Sequence, residues 1–424
     1  MSTPTSYLQP RAYHAFRCIG ADCEDTCCSG WLINVDKTTY EAYQRCEDPD
    51  LGPRLRALIA IHPASTSDAN YARIAMSGTT CPFLTDGLCG IQNKLGEASL
   101  ANLCAQFPRV MTLVDGVLQR SLDLSCPEAV RVMLLDPAPM QFDTDTGAPH
   151  SRALGDLSEL TTADDASPKP YRYFHEIRAF VIELLQHRAY PLWMRLVALG
   201  AFCDQLEQLQ AAGQNAQTPE CIGWFRQAIA SKQLDAAIQA HQARPVLQLG
   251  VVLEVIVARI TGDYVSPGFL ACYRDFKEGI AWTSESSMEE IGARYAAASA
   301  EYYAPFLARH GHMLEHYLVN YVHRTLFPLP PQKASADTSA HPPVESIRER
   351  CLLMMTFYAV IQTVLTGMAA YRRDAFGPAY AVAVVQSVAK AFEHNPSFPA
   401  RALKILEEKG IRNGVSMAVL IRTC

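Results

Sequence analysis

Apolar residues in the second half of the chain recur every three to four positions. Tyr173, Ile177, Phe180, Val181, Leu184 and Leu185 fall on one face of a helix. Leu192, Leu196, Leu199, Phe202 and Leu206 resume the same period after a break at Pro191, so two antiparallel helices are the simplest reading. The spacing predicts further helices over 219–229, 234–243, 246–260, 287–307, 314–326, 347–370 and 380–392. The first third reads differently. Helices are expected there at 38–45, with Asp36 as N-cap, at 98–103 and at 128–135. Residues 31–35 alternate weakly, as a short strand or a wall over something else, and Gly and Pro punctuate the rest. No internal repeat of fixed period is visible. The pattern predicts a mainly α protein, with a helical body behind a small irregular front end.

Two stretches interrupt the periodicity. Proline and aspartate crowd 136–170, and proline with small polar residues crowds 328–345. Both read as linkers or long surface loops. The expected segments are therefore 1–135, 171–327 and 346–424. One helix needs a membrane test, because 352–371 carries no charged residue over a span-length run. It contains Thr356, Gln362, Thr363, Thr366 and Gly367 and lacks aromatic belts at both ends, so a buried core helix is expected and no membrane insertion.

Composition narrows the classes. The 424 residues are 49% hydrophobic, which is ordinary for a globular protein. Net charge is 37 − 43 = −6, which leaves no electrostatic footprint for nucleic acid. The first residues have neither a basic start nor an apolar run, so the expectation is a soluble, cytoplasmic protein.

Cysteine changes the picture most. Cys18, Cys23, Cys27 and Cys28 lie within one short stretch, and Cys46, Cys81, Cys89, Cys104 and Cys126 follow. Such crowding is a disulfide framework in an exported chain and a metal or cluster site in a cytosolic one. A chain this long builds a core without staples, which favours thiolate-bound metal over disulfides. Adjacent Cys27 and Cys28 cannot easily hold one ion together. The spacings are C-x4-C-x3-C-C and C-x7-C, with Pro82 and Gly87 supplying turns. They match neither paired zinc knuckles nor standard ferredoxin spacing, so spacing leaves zinc and an iron–sulfur cluster level.

The opening run from Tyr7 to Tyr13, the run from Phe16 through the four cysteines to Trp31, Cys81 to Cys89, Cys104 to Pro108 and the late segment Tyr317 to Pro328 together resemble the flagellin lysine-N-methylase family. The front end also resembles a wider family of eight-cysteine zinc- or iron-chelating domains. Cys18, Cys23, Cys27, Cys28, Cys81, Cys89, Cys104 and Cys126 match its eight positions, and Cys46 has no counterpart. The resemblance implies methyl transfer from S-adenosylmethionine to lysine ε-amines of flagellin. It also implies a four-iron, four-sulfur cluster on a subset of those cysteines, which tips the metal question toward a cluster. Tyr321 is the candidate for orienting the target amine, chosen because it lies in the matching late segment; Tyr317 and Phe327 are candidates for an aromatic lining beside it. A binding or chaperone module that chelates metal and handles flagellin without chemistry is the alternative.

The residues themselves are silent on S-adenosylmethionine. The nearest approach to a strand and Gly-rich turn is 252–262, which lacks glycines directly after the apolar run and reads as a buried helix. A Rossmann-like methyltransferase is not expected, and C-x3-C-x2-C, the radical-enzyme spacing, is not present. His312, Glu315 and His316 form an H-x-x-E-H pattern that on a helix could hold zinc with Glu315 as base, giving a zinc peptidase as the third reading. No third ligand identifies itself. Arg178, Arg195 and Arg324 read as paired or snorkelling structural residues, Asn320 as a neighbour of Tyr321, and His175 with Glu176 as a helix-start pair.

Overall fold

The computed structural model describes residues 6–422 apart from 64, 66, 147–156, 164–166, 262–263 and 334–343. It is mainly α, and no Rossmann-like arrangement is present among the described residues. The helix Ile347–Arg372 is its centre. Every side chain from Cys351 to Ala369 is buried, so the helix has no solvated face. It passes the length and apolarity test for a membrane span, and its apolar window is wholly buried inside the protein. Helices Leu192–Ala211, Pro245–Ile260, Pro267–Gly279, Met288–Ala298 and Pro378–Val388 surround it. The segments 171–327 and 346–424 thus share one core, which runs from Tyr13 to Ile421.

Local chemistry places most helix ends where the spacing put them. Asp36 caps Lys37–Gln44 by accepting from the Thr39 amide at 3.0 Å. Ser287 and Glu290 form a capping box at Met288–Ala298. The run expected over 287–307 continues through a π turn at Ser299–Tyr303 into Ala304–His310. Pro267–Gly279 was not expected from spacing. It packs where its own Gly279 meets Gly367 of the central helix. A Cβ on Gly279 would lie 1.8 Å from the Gly367 carbonyl oxygen, so only glycine allows this approach. Gly367 therefore serves a helix crossing.

The front end is less irregular than expected. A five-stranded sheet runs in the order Ser158–Leu160, Arg109–Val114, Val117–Leu122, Ser6–Pro10, Phe142–Thr146. Arg109–Val114 and Val117–Leu122 form a tight hairpin whose corner residues Asp115 and Gly116 have φ of 49° and 78°. Both need the left-handed region, which an Asp-Gly pair tolerates. Ser6–Pro10 pairs parallel to Val117–Leu122 and antiparallel to Phe142–Thr146. The stretch 136–170, read as a linker, therefore supplies two strands of this sheet. Its residues 147–156 and 164–166, and residues 334–343 of the second proline-rich stretch, lie outside the described residues. A second, smaller core gathers Ile33, Val35, Tyr43, Leu55, Ile74 and Phe83 beneath the cysteine loops.

Candidate functional site

The eight family-type cysteines fall into two groups. Cys28 lies within hydrogen-bonding reach of both Cys27 and Cys89. Cys81 and Cys104 lie near enough to Cys27 and Cys89 to interact with them electrostatically, so these five thiols share one neighbourhood. Cys126 feels Cys23 and Cys18 instead, which makes a second group of three. Backbone geometry builds the first group. The Cys81 amide donates to the Cys28 carbonyl at 2.8 Å, and Leu84–Thr85 turns back to Leu88–Cys89 through Asp86 and Gly87, both at positive φ. Trp31 is tied to its edge, donating from Nε1 to the Cys27 carbonyl at 3.0 Å. All described cysteines are free.

The thiols differ in acidity. The hydrogen bond from Cys28 lowers Cys27 to about 7 and Cys89 to about 6, while Cys28 itself is pushed up. Burial pushes Cys104, Cys81 and Cys23 up, and Cys126 up to about 12. The donor chemistry suits a thiolate-bound zinc or iron–sulfur cluster. The arrangement is not a finished cage: among the described residues no three His, Cys, Asp or Glu side chains form a group that could hold a metal ion. Thiolate ligation requires loss of the protons that burial now retains.

The C-terminal helices latch the cysteine loop. Lys390, in the π turn Ala389–Glu393, has its ammonium 2.8 Å from the Asp25 carboxylate and 2.8 Å from the Thr26 carbonyl, and stands 5.2 Å from the Trp31 ring. Gln386 donates to Asp25 at 2.6 Å. The His394 ring sits 5.4 Å from Trp31. His394 also meets Asp123 at 3.0 Å, and Asp123 in turn lies 3.4 Å from Arg324, which pairs with Glu393. Tyr317 completes this network by donating to Glu393 at 2.8 Å. Burial opposes the charge on Asp123, but His394 and Arg324 outweigh it and hold the carboxyl well below its ordinary range.

The late motif has a structural job. Asn320, fully buried, accepts from the Ser121 hydroxyl at 2.5 Å and donates to the Leu122 carbonyl at 3.1 Å. His323 reaches the Arg120 carbonyl at 3.0 Å. The helix His312–Arg324 is thereby bonded along the strand Val117–Leu122. Tyr317 and Phe327 are buried core residues. Tyr321 is half-buried, 6.5 Å from Tyr317, 6.0 Å from Phe357 and 5.8 Å from the Arg324 guanidinium. Desolvation pushes its phenol up to about 12.

Other sequence candidates are occupied. Both oxygens of Glu315 are held, by Arg188 at 2.8 Å and by Arg195 at 2.8 Å. A carboxylate fixed between two guanidinium groups is not a free base, and the His312 and His316 rings stand 5.8 Å apart beside it. The peptidase reading therefore lacks its base. Arg324 pairs as described. Arg178 has Gln119 at 3.1 Å and the Phe174 ring at 4.7 Å, and burial lowers it to about 10. His175 bonds Asp115 at the hairpin corner at 2.9 Å, and Glu176 is exposed.

Residues 178–420 match the family described as the FliB lysine N-methylase C-terminal domain. The eight cysteines lie before that match. Over 139 residues the chain is 32% identical to the lysine-N-methylases of Salmonella typhimurium and Salmonella choleraesuis, covering 32% of this chain and 35% of each relative. Over 133 residues it is 32% identical to the flagellar biosynthetic protein FliU of Salmonella muenchen, covering 31% of this chain and 79% of that one. The similarity thus spans about a third of the two lysine-N-methylases. No solved structure matches.

Proposed function

Because more than half of its length matches the FliB lysine N-methylase C-terminal domain, the chain belongs to that family, and we propose that it is a protein-lysine N-methyltransferase. The donor is S-adenosylmethionine and the acceptors are surface lysines of flagellin, in keeping with the lysine-N-methylase and flagellar names of the relatives. The cell compartment is the cytoplasm. A four-iron, four-sulfur cluster sits on thiols drawn from Cys27, Cys28, Cys81, Cys89 and Cys104, with Cys18, Cys23 and Cys126 as a separate group. The observation that carries the reading is the family match, together with five free thiols gathered in one neighbourhood ahead of it. Such a cluster supplies an iron able to bind polar groups of a ligand.

Methyl transfer from a sulfonium needs a neutral lysine amine, whose ordinary pKa of about 10.4 keeps it protonated at neutral pH. The protein must desolvate that amine and hold it in line. Tyr321 is the proposed orienting residue: a half-buried phenol among aromatic rings, protonated at pH 7. The test is incubation of the anaerobically purified protein with methyl-labelled S-adenosylmethionine and folded flagellin. Label on lysine is expected. Stable flagellin binding without label would instead assign the non-catalytic chelating module.

A further inference from the structure

A cavity of about 370 Å³ opens on one face of the hairpin Arg109–Leu122, a size within the roughly 300–1,000 Å³ of small-molecule sites. Its lining holds three guanidinium groups, Arg17, Arg109 and Arg120, and one acid, Glu97. Met111 and Arg120 lie directly opposite across the hairpin, so Arg120 rises from the floor, with Arg109 two residues along on the same face.

Arg120 is the unusual member. It is 3% exposed, and its Nε and Nη2 have no hydrogen-bond partner. Its guanidinium lies 3.6 Å from the centroid of the Tyr7 ring and 6.0 Å from that of Tyr13, another lining residue. Its backbone is pinned by His323. Arg17 spends its Nη1 on the His14 and Phe16 carbonyls, and Arg109 stacks 5.0 Å from the Phe16 ring. A buried cation without a carboxylate is costly, and with Nε and Nη2 enclosed by protein, Nη1 is the guanidinium nitrogen left to meet an anion from the cavity side. The other wall is Ala105 and Gln106, directly after Cys104 of the thiol group.

We propose that this cavity holds the amino-acid end of the methyl donor, with Arg120 and Arg109 taking the carboxylate of S-adenosylmethionine and Glu97 its ammonium group. The inference rests on the methyltransferase reading and gives that reading its cofactor site, on a sheet face beside the cysteines and away from any Gly-rich turn.

Calorimetric titration of the anaerobically purified full chain tests it with two ligands. S-adenosylhomocysteine carries the carboxylate and ammonium; methylthioadenosine lacks both. The wild-type chain is expected to bind the first more tightly. Arg120→Met is expected to weaken it at least tenfold and to leave methylthioadenosine within twofold. Arg109→Gln, at a half-buried position, is expected to act in the same direction and carries the test if Arg120→Met does not fold. Unchanged S-adenosylhomocysteine binding in a folded variant, or equal losses for both ligands, would overturn the cavity assignment while leaving methyl transfer standing. A wild-type chain that binds neither ligand would overturn the cavity and the methyl donor together.

Discussion

The hydroxyl of Ser121 donates to the side-chain oxygen of Asn320 at 2.5 Å, across 199 residues of sequence. This bond joins the strand next to the cysteine loops to the helix of the late motif, and both partners are buried. Asn320→Leu removes it together with the bond to the Leu122 carbonyl. Each buried group left without a partner costs about 1–3 kcal/mol. Urea unfolding is expected to report a loss in that range or above, with the m-value unchanged. A loss below about 0.5 kcal/mol would mean that the helix and the strand are not held through this residue.

Arg324 lies between two carboxylates, Asp123 and Glu393, and all three side chains are largely buried. Arg324→Met leaves two buried acids without the cation they share. Breaking a buried pair from one side costs about 3–5 kcal/mol. Adding Glu393→Gln is expected to recover part of that loss. A double variant no more stable than the single one would show that the cost lies in packing.

His394 gives the network a pH signature. Burial favours the neutral ring, but Asp123 outweighs it, and the imidazole pKa is raised above its ordinary value. A raised folded-state pKa means that its contribution is fully present below about pH 6.5, the unfolded value, and is lost as pH rises through the folded value. The side chain is 34% exposed, so the effect is at most about 1 kcal/mol. Stability measured from pH 5 to 9 is expected to fall on the alkaline side, and His394→Gln is expected to flatten that fall. Asp123, held low, works in the opposite window: its contribution is lost below about pH 4.

The thiols can be sorted by substitution. Anaerobically purified protein is expected to be brown and to bleach on reduction. Cys27→Ser, Cys89→Ser and Cys104→Ser are expected to lose the colour and the bound iron. Cys46→Ser is expected to keep both, because Cys46 stands outside the thiol groups and its carbonyl serves Arg56. A colourless protein with stoichiometric zinc would replace the cluster, and loss of iron in Cys46→Ser would redraw the ligand set.

What the sequence revealed and what it hid follow from the range of each interaction. Helix periodicity and the Asp36 cap are local and legible. The hairpin at Asp115-Gly116 carries an equally local signal, an Asp-Gly pair between two apolar runs, although no strands were expected there. The sheet was illegible because Ser6–Pro10 finds its partners more than a hundred residues away. The H-x-x-E-H pattern misled for the same reason: Arg188 and Arg195, which occupy Glu315, lie 127 and 120 positions earlier. The late segment from Tyr317 was conspicuous as a motif. Its pairing of Asn320 and His323 to a strand required the structure. Arg120 carried no signal at all, since nothing in its neighbours marks a buried cation without an acid.

Lys390 reaches Asp25 across 365 residues, and this separation sets an order of events in the cell. Between Cys104 and Lys390 there are 390 − 104 = 286 residues to synthesise. At about 5–20 residues per second, that takes on the order of 15–60 s. For that interval the cysteine loops exist on the ribosome without their latch. Exposure of the thiols is therefore a matter of timing, and a chain truncated before Lys390 would carry every family-type cysteine yet lack the contacts that tie Asp25 and Thr26 to the C-terminal helices.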